Sequence, residues 1–66
     1  MKNHIQELRK IHNLSQEKLA RAVGTTRQTI TSIETGKYTA SLPLAFKIAR
    51  FFRKSIEEVF EFSEED

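Results

Sequence analysis

Apolar residues recur every three or four positions along most of this 66-residue chain, a spacing typical of amphipathic helices. The pattern divides the chain into five helical segments. Their apolar positions are Ile5, Leu8 and Ile11; Leu19, Ala20 and Val23; Ile30 and Ile33; Leu44, Ala45, Ile48, Ala49 and Phe52; and Ile56, Val59 and Phe60. The first helix is expected over about residues 3–12. Links of two to five residues between the helices predict a compact all-α, five-helix domain.

Polar residues stand where four of these helices would begin, and each can accept a hydrogen bond from the backbone of a first turn. These candidate caps are Ser15, Thr26, Ser41 and Ser55. Glu58 follows the last of them at the spacing of a capping box. Gly24 and Gly36 are placed to end the second and third helices. Pro43 falls in the first turn of the fourth helix, where a missing N–H does little harm.

The C-terminal residues have a different pattern. Residues 60–63 alternate between apolar and polar, and they could form a short strand that pairs antiparallel with residues 1–3. Residues 61–66 form an acidic tail. A chain of this length predicts a single domain over residues 1–66.

Charge is distributed unevenly along the chain, although the formal net charge is only +2. Eleven basic side chains against three Glu leave residues 1–54 with a charge of +8, whereas six acidic side chains and no basic one give residues 55–66 a charge of −6. A basic body fits a polyanionic partner such as nucleic acid. It equally fits a soluble domain whose acidic tail lies over its own basic surface.

Composition excludes several classes of function. The chain has no Cys, which rules out disulfides, a thiolate metal site and a cysteine nucleophile. His4 and His12 are eight residues apart without a carboxylate cluster, and no Ser, His and acidic residue are linked into a triad. We therefore expect no metal, no cofactor and no enzyme activity. The longest uncharged apolar run, residues 42–46, is too short to span a membrane, so a cytoplasmic protein without a membrane partner is expected.

Residues 16–35 form a more specific pattern, in which two short helices meet at roughly 90–120° and the second projects a polar face. Gly24 stands at the bend, and Ala20 stands where the helices would touch. A plain helical hairpin explains the glycine and the stripes but not their joint spacing. The spaced positions are Gln16, Leu19, Ala20, Val23, Gly24, Ile30 and Ile33.

This spacing resembles the helix-turn-helix of the Xre family, the group of the phage lambda repressor and Cro. The chain is most similar to the short single-domain members typified by the enterococcal cytolysin repressor. The resemblance extends from about Ile5 to Phe60 and places the helix-turn-helix at about residues 15–35. It implies a sequence-specific transcriptional regulator of double-stranded DNA, expected to be a repressor that acts as a homodimer on a palindromic operator.

The resemblance also implies roles for individual residues, with the helix over Thr26–Thr35 in the major groove. Arginine can bond guanine O6 and N7, and glutamine can bond adenine N6 and N7. The implied base contacts are Arg27, Gln28, Thr31 and Ser32. The implied DNA backbone contacts are Arg9, Lys10, Gln16, Thr26, Lys37, Tyr38 and Thr39.

Two further positions bear on the geometry of this helix. Arg9 and Glu34 match positions at which family members join the first helix to the end of the recognition helix by an ion pair, which implies a positioning role. Between the fourth and fifth helices, family members commonly have Gly or Asn where this chain has Arg53 and Lys54. This departure predicts either a positive φ at Arg53 or a helix that ends differently.

Aromatic residues are concentrated near the C-terminus, with four Phe between positions 51 and 62. They exceed what one short helix end can bury, which predicts self-association. The expected dimer interface comprises Val59, Phe60 and Phe62. Two other functions stay open: a protein-interaction module, such as an antitoxin whose acidic tail docks on a basic partner protein, and nonspecific nucleoid binding.

Overall fold

Five helices and two short strands make up residues 1–61, the part of the chain that the computed structural model describes. The elements are β1 (Lys2–Asn3), α1 (Ile5–Ile11), α2 (Gln16–Val23), α3 (Arg27–Glu34), α4 (Leu42–Phe51), α5 (Ile56–Val59) and β2 (Phe60–Glu61). The strands pair antiparallel, with Lys2 opposite Glu61 and Asn3 opposite Phe60. The predicted all-α fold with a small terminal β pairing is therefore confirmed. The acidic tail after Glu61 and the rest of the predicted second strand lie outside the described residues.

The four predicted caps all begin helices. Their side-chain oxygens accept the backbone N–H three residues later, at 3.0–3.3 Å; these caps are Ser15, Thr26, Ser41 and Ser55. The capping box of α5 is complete, because the Ser55 N–H donates to Glu58 Oε1 at 2.9 Å. Hydrogen bonds from the Ser55 backbone and hydroxyl hold the pKa of Glu58 below its ordinary value. Helix α1 is shorter than predicted, and the side chain of its N-cap residue, His4, accepts no backbone N–H. Asn3 Oδ1, in β1, accepts the Ile5 N–H instead.

The core is formed by one face of each helix. The fully buried large side chains come from five different elements and are Ile5, Leu19, Ile30, Ile48 and Val59. Ile11 was expected on this face but is 75% exposed. Each three-residue step turns 300° around a helix, so Ile11 lies about 120° away from Ile5. The prediction that Ile11 faces inward is therefore wrong.

The end of α4 explains how the chain tolerates Arg53 where a glycine is common. Arg53 has a φ of 57°, which confirms the left-handed conformation as one of the two expected outcomes. The Arg53 N–H donates to the Arg50 carbonyl at 3.0 Å, and the Lys54 N–H donates to the Ala49 carbonyl at 2.9 Å. These two bonds form a Schellman motif, which satisfies carbonyls that the helix leaves unpaired. The direction of α5 thus depends on a strained residue.

Replacing this residue by glycine, in Arg53→Gly, is expected to raise the free energy of unfolding by about 0.5–1 kcal/mol. Glycine removes the left-handed strain of about 1–2 kcal/mol but adds entropy to the unfolded chain. Urea denaturation measures the change. The matched control is Gly24→Ala, where φ is 77° and no atom crowds the added Cβ, so a loss of about 1 kcal/mol is expected. A destabilised Arg53→Gly would contradict the assignment of strain.

Within residues 1–61, no helix is both long and apolar enough to cross a membrane.

Candidate nucleic-acid interface

The α2–α3 pair is built around the turn at Gly24. Gly24 has a left-handed conformation, and its N–H donates to the Arg21 carbonyl at 3.3 Å, while the Thr25 N–H donates to the Ala20 carbonyl at 2.8 Å. These bonds end α2 at Val23, and Gly24 and Thr25 lead from there to Thr26, which caps α3. Ala20 is 2% exposed, as expected for a contact point between the two helices. The predicted helix-turn-helix is thereby formed, with α3 packed on α2 through its apolar side.

The opposite side of α3 carries the predicted base-contacting residues. Arg27 and Gln28 are exposed in its first turn, and Ser32 is half-buried one turn later. Within residues 1–61, none of these three side chains makes a hydrogen bond to the rest of the protein. Thr31 differs, because its hydroxyl donates to Gln16 Oε1 at 3.1 Å and lies 3.0 Å from the Arg27 carbonyl. Arg27, Gln28 and Ser32 are therefore available to a ligand, whereas Thr31 also joins α3 to α2.

The other end of α3 is held by an ion pair that lies almost out of solvent. Arg9 Nε donates to Glu34 Oε2 at 2.6 Å, and Arg9 Nη2 donates to Glu34 Oε1 at 3.0 Å. The side chains of Arg9 and Glu34 are only 12% and 6% exposed. Their hydrogen bond raises the pKa of Arg9 above its ordinary value. The expected pairing of α1 with the end of the recognition helix is present in the structure.

Gln16 extends this pair into a network. Its Nε2 donates to Glu34 Oε1 at 3.1 Å while its Oε1 accepts the Thr31 hydroxyl, so one amide contacts two successive turns of α3. Arg9 also donates to the Leu14 carbonyl through Nη1 at 3.0 Å. All three guanidinium nitrogens of Arg9 therefore have partners inside the protein. This geometry favours a positioning role for Arg9 over the DNA backbone contact that was also expected of it.

The loop after α3 carries three more predicted residues, of which Tyr38 lies beside the exposed face of α3. The N–H groups of Lys37 and Tyr38 both donate to the Ser32 carbonyl, at 2.9 and 3.2 Å. Tyr38 lines a shallow groove along α3, whose other residues are Thr26, Gln28, Thr29 and Ser32. Lys37 and Thr39 are exposed on the same loop. Of the other expected backbone contacts, Lys10 is exposed on α1, and the hydroxyl of Thr26 is occupied by its cap.

Asn3 supports the end of α3 in a way that sequence reasoning missed. Its Nδ2 donates to the Ile33 carbonyl at 2.9 Å, which connects the terminal sheet to the last turn of the helix. No periodicity or motif distinguishes this asparagine, because the two residues are 30 positions apart. Only the strand pairing brings them together.

Two of the residues expected at a dimer interface belong to the protomer's own core. Val59 is 0% exposed and Phe60 is 8% exposed, so little of either side chain is left for a second copy. Phe62 lies outside the described residues. The interface stays a prediction, and apolar area for it must come from exposed neighbours of Val59 and Phe60.

His4 connects the terminal sheet to α1 through both ring nitrogens. Nδ1 lies 3.3 Å from Glu7 Oε1, and Nε2 lies 2.7 Å from Glu61 Oε2. Carboxylates only accept hydrogen bonds, so the doubly protonated ring satisfies both contacts. The hydrogen bond to Glu7 and the charge of Glu61 raise the pKa of His4 above its ordinary 6.5, against the opposing effect of burial. No group of three or more potential ligands in residues 1–61 could hold a metal ion.

Stability is therefore expected to fall with rising pH through this histidine. A raised pKa in the folded state contributes stability that is complete below the unfolded value of 6.5 and is lost as the pH rises through the folded value. Urea denaturation between pH 5.5 and pH 8, in about half-unit steps, measures this slope. His4→Gln should flatten it, and His12→Gln is the control that removes the other imidazole. An unchanged slope in His4→Gln would contradict the assignment.

Comparisons with known proteins agree with this geometry. Residues 5–59 match a protein family described as helix-turn-helix. Over all 66 residues, and over the full length of both relatives, the chain is 52% identical to an HTH-type transcriptional regulator of Methanocaldococcus jannaschii and 50% identical to one of Bacillus subtilis. The crystal structure of the restriction-modification controller protein C.AhdI from Aeromonas hydrophila is similar, with a TM-score of 0.79 and 33% identity over 86% of each chain.

Proposed function

Because the chain belongs to the Xre-like helix-turn-helix family, we propose that it is a repressor that binds double-stranded DNA sequence-specifically as a homodimer. Family membership also means that the chain is not an enzyme. One observation carries the proposal: α3 is fixed on one side by the Glu34 network and presents the unbonded side chains of Arg27 and Gln28 on the other. An exposed helix held in this way can enter a major groove without rearranging its support.

The chemistry of the exposed side chains suits base edges. The guanidinium of Arg27 can donate two hydrogen bonds to guanine O6 and N7, and the amide of Gln28 can pair with adenine N6 and N7. Ser32 can donate to or accept from either base. Thr31 uses its hydroxyl within the protein, so a base contact by this residue would come from its methyl group, which suits a thymine methyl. A half-site that contains neighbouring G·C and A·T pairs is expected.

The surrounding groups suit phosphates. Lys37 supplies charge, and Tyr38 and Thr39 supply hydroxyl groups at the C-terminal end of α3. Gln16 opens α2, where unpaired backbone N–H groups and the helix dipole favour an anion. Exposed Lys10 adds charge from α1. These contacts would hold α3 in register while carrying no sequence information themselves.

A homodimer would place two such helices in successive major grooves, with half-site centres roughly 34 Å apart. Repression would then follow from occupation of a promoter, in the cytoplasm, by residues 1–66 acting as a single DNA-binding domain. A palindromic operator is the DNA counterpart of this twofold symmetry.

Selection from a random duplex pool at near-physiological salt tests the proposal. We expect the wild-type protein to enrich a palindrome and the Arg27→Ala/Gln28→Ala double variant to lose that enrichment. Lys47→Ala is a matched control, since it removes an exposed charge from α4 rather than from α3. Binding without enrichment would instead support nonspecific nucleoid binding. No DNA binding, together with a partner that co-purifies in stoichiometric amount, would support a protein-interaction module such as an antitoxin.

A further inference from the structure

Helices α4 and α5 share an apolar surface that adjoins the proposed DNA contacts only at Thr39, which lines one of its grooves. Leu42 and Phe46 are 64% and 51% exposed, although both are large hydrophobic residues. Ile56 of α5 is half-buried beside them. We call the surface formed by Leu42, Phe46, Arg50, Ile56 and Glu57 the α4–α5 face. Exposed apolar side chains that adjoin one another in this way mark association sites more often than isolated ones do.

Two adjoining grooves shape this face, and Ile56 and Glu57 line both of them. The first groove contains Leu42 and lies toward the start of α4. The second contains Phe46 and Arg50 and lies toward the end of α4. The α4–α5 face therefore consists of a row of side chains along α4 and two grooves, one on each side of the first turn of α5.

The order of residues along α4 fits a twofold axis. Leu42, Phe46 and Arg50 are four residues apart and form one row on the helix surface, with Phe46 in the middle. Two antiparallel copies of α4 that cross at Phe46 place Leu42 of one copy opposite Arg50 of the other. Leu42 shares a groove with Glu57. Arg50 of the second copy would therefore arrive beside Glu57 of the first, and the symmetry repeats this contact.

Charge complementarity supports the same arrangement. Arg50 and Glu57 are both exposed, and among residues 1–61 neither forms an ion pair within 4.0 Å. The nearby Lys54 has a partner, since its Nζ lies 4.0 Å from Glu58 Oε2. A basic group at one end of the apolar row and an acidic group that lines the grooves on both sides are thus available, and an isologous contact between identical chains can pair them reciprocally.

We propose that the α4–α5 face binds a second copy of this chain, with Phe46 at the twofold axis and two reciprocal Arg50–Glu57 ion pairs. The proposal rests on the homodimer of the proposed function and assigns its interface. A standard interface buries about 800 Å² per partner, roughly a sixth of the protomer's 4846 Å². The face explains how a dimer forms although Val59 and Phe60 are buried in the core.

Charge reversal in the absence of DNA tests this interface by sedimentation equilibrium. Arg50→Glu and Glu57→Arg each place like charges together in both symmetry-related contacts, so each variant should dimerise at least about tenfold more weakly than the wild type. An equimolar mixture of the two should recover affinity to within about threefold, because the mixed dimer has opposite charges in both contacts. Phe46→Ala should weaken dimerisation as strongly, and Lys18→Glu on α2 is the control for the change in net charge.

Circular dichroism of each variant separates lost association from lost folding. Recovery in the mixture supports the proposal, because a pair within one protomer could not be restored by mixing. Variants that dimerise like the wild type, or a mixture as weak as its components, would overturn it. A wild-type protein that is monomeric at tens of micromolar yet still enriches a DNA sequence would overturn this interface and leave the DNA-reading function standing. If DNA selection is lost while the charge-reversal variants and their mixture dimerise as expected, the interface stands and the DNA-reading function is overturned.

Discussion

Glu34→Ala is expected to lower the free energy of unfolding by about 3 kcal/mol. The substitution leaves the Arg9 guanidinium only 12% exposed and without its counter-ion, and it also removes the acceptor of the Gln16 amide. Removing one partner of a buried ion pair typically costs about 3–5 kcal/mol, because the remaining charge stays desolvated. A domain of this size has a total stability of only about 3–10 kcal/mol. Urea denaturation should therefore show a midpoint at much lower urea, and at the low end of this range a large unfolded fraction even without denaturant.

Two further variants distinguish burial from charge as the cause. Glu17→Ala breaks an exposed pair with Arg21, whose Nη2 lies 3.5 Å from Glu17 Oε1, and should change stability by less than about 0.5 kcal/mol. The double variant Arg9→Met/Glu34→Leu replaces both charges by apolar groups and should be more stable than Glu34→Ala. A Glu34→Ala variant as stable as Glu17→Ala would show that the network does not hold α3.

Arg27→Ala is expected to weaken binding to the selected operator by about 5- to 150-fold. A bidentate contact with guanine contributes about 1–3 kcal/mol of discrimination, and Arg27 has no partner within residues 1–61 whose loss would disturb the fold. Binding to random duplex DNA should change far less. Titration of labelled operator and random duplexes at one salt concentration measures both affinities.

Lys37→Ala is the comparison that separates sequence reading from phosphate contact. Its loss should weaken binding to operator and random DNA by similar factors, and it should lower the salt dependence of log affinity by about one. The same behaviour in Arg27→Ala would remove Arg27 from base recognition. Both side chains are exposed, so unfolding is not expected to account for either result.

Local signals accounted for much of the fold. Ser15 and Thr26 are found where the capping pattern places them, because a cap depends only on atoms within one helical turn. Gly24 and Arg53 adopt the expected left-handed conformation for a similarly local reason. The Arg9–Glu34 pair, by contrast, was expected only from the family resemblance. Nothing local relates two residues 25 positions apart.

Contacts that depend on the assembled structure could not be predicted from the sequence. Helix α1 begins two residues later than predicted, because Asn3 belongs to β1 and the His4 N–H donates to the Val59 carbonyl near the other end of the chain. Ile11 fits an apolar repeat but has rotated out of the core by the end of α1. Val59 and Phe60 were predicted to lie at a dimer interface, which stays a prediction, but within the protomer both are buried in the core. In each case, tertiary packing decided which of two locally acceptable arrangements formed.

The division of α3 into a fixed side and an unbonded side has a consequence for how such regulators diversify. Ile30, Ile33 and Glu34 carry the contacts that define its position, whereas the side chains of Arg27, Gln28 and Ser32 make no hydrogen bond within residues 1–61. Under the proposed function, substitutions at the latter three positions are expected to change the preferred operator with little effect on folding. After gene duplication, two copies can thus acquire separate targets through a few codon changes. The residues that fix the position of α3 are expected to change more slowly, because substitutions there disturb folding.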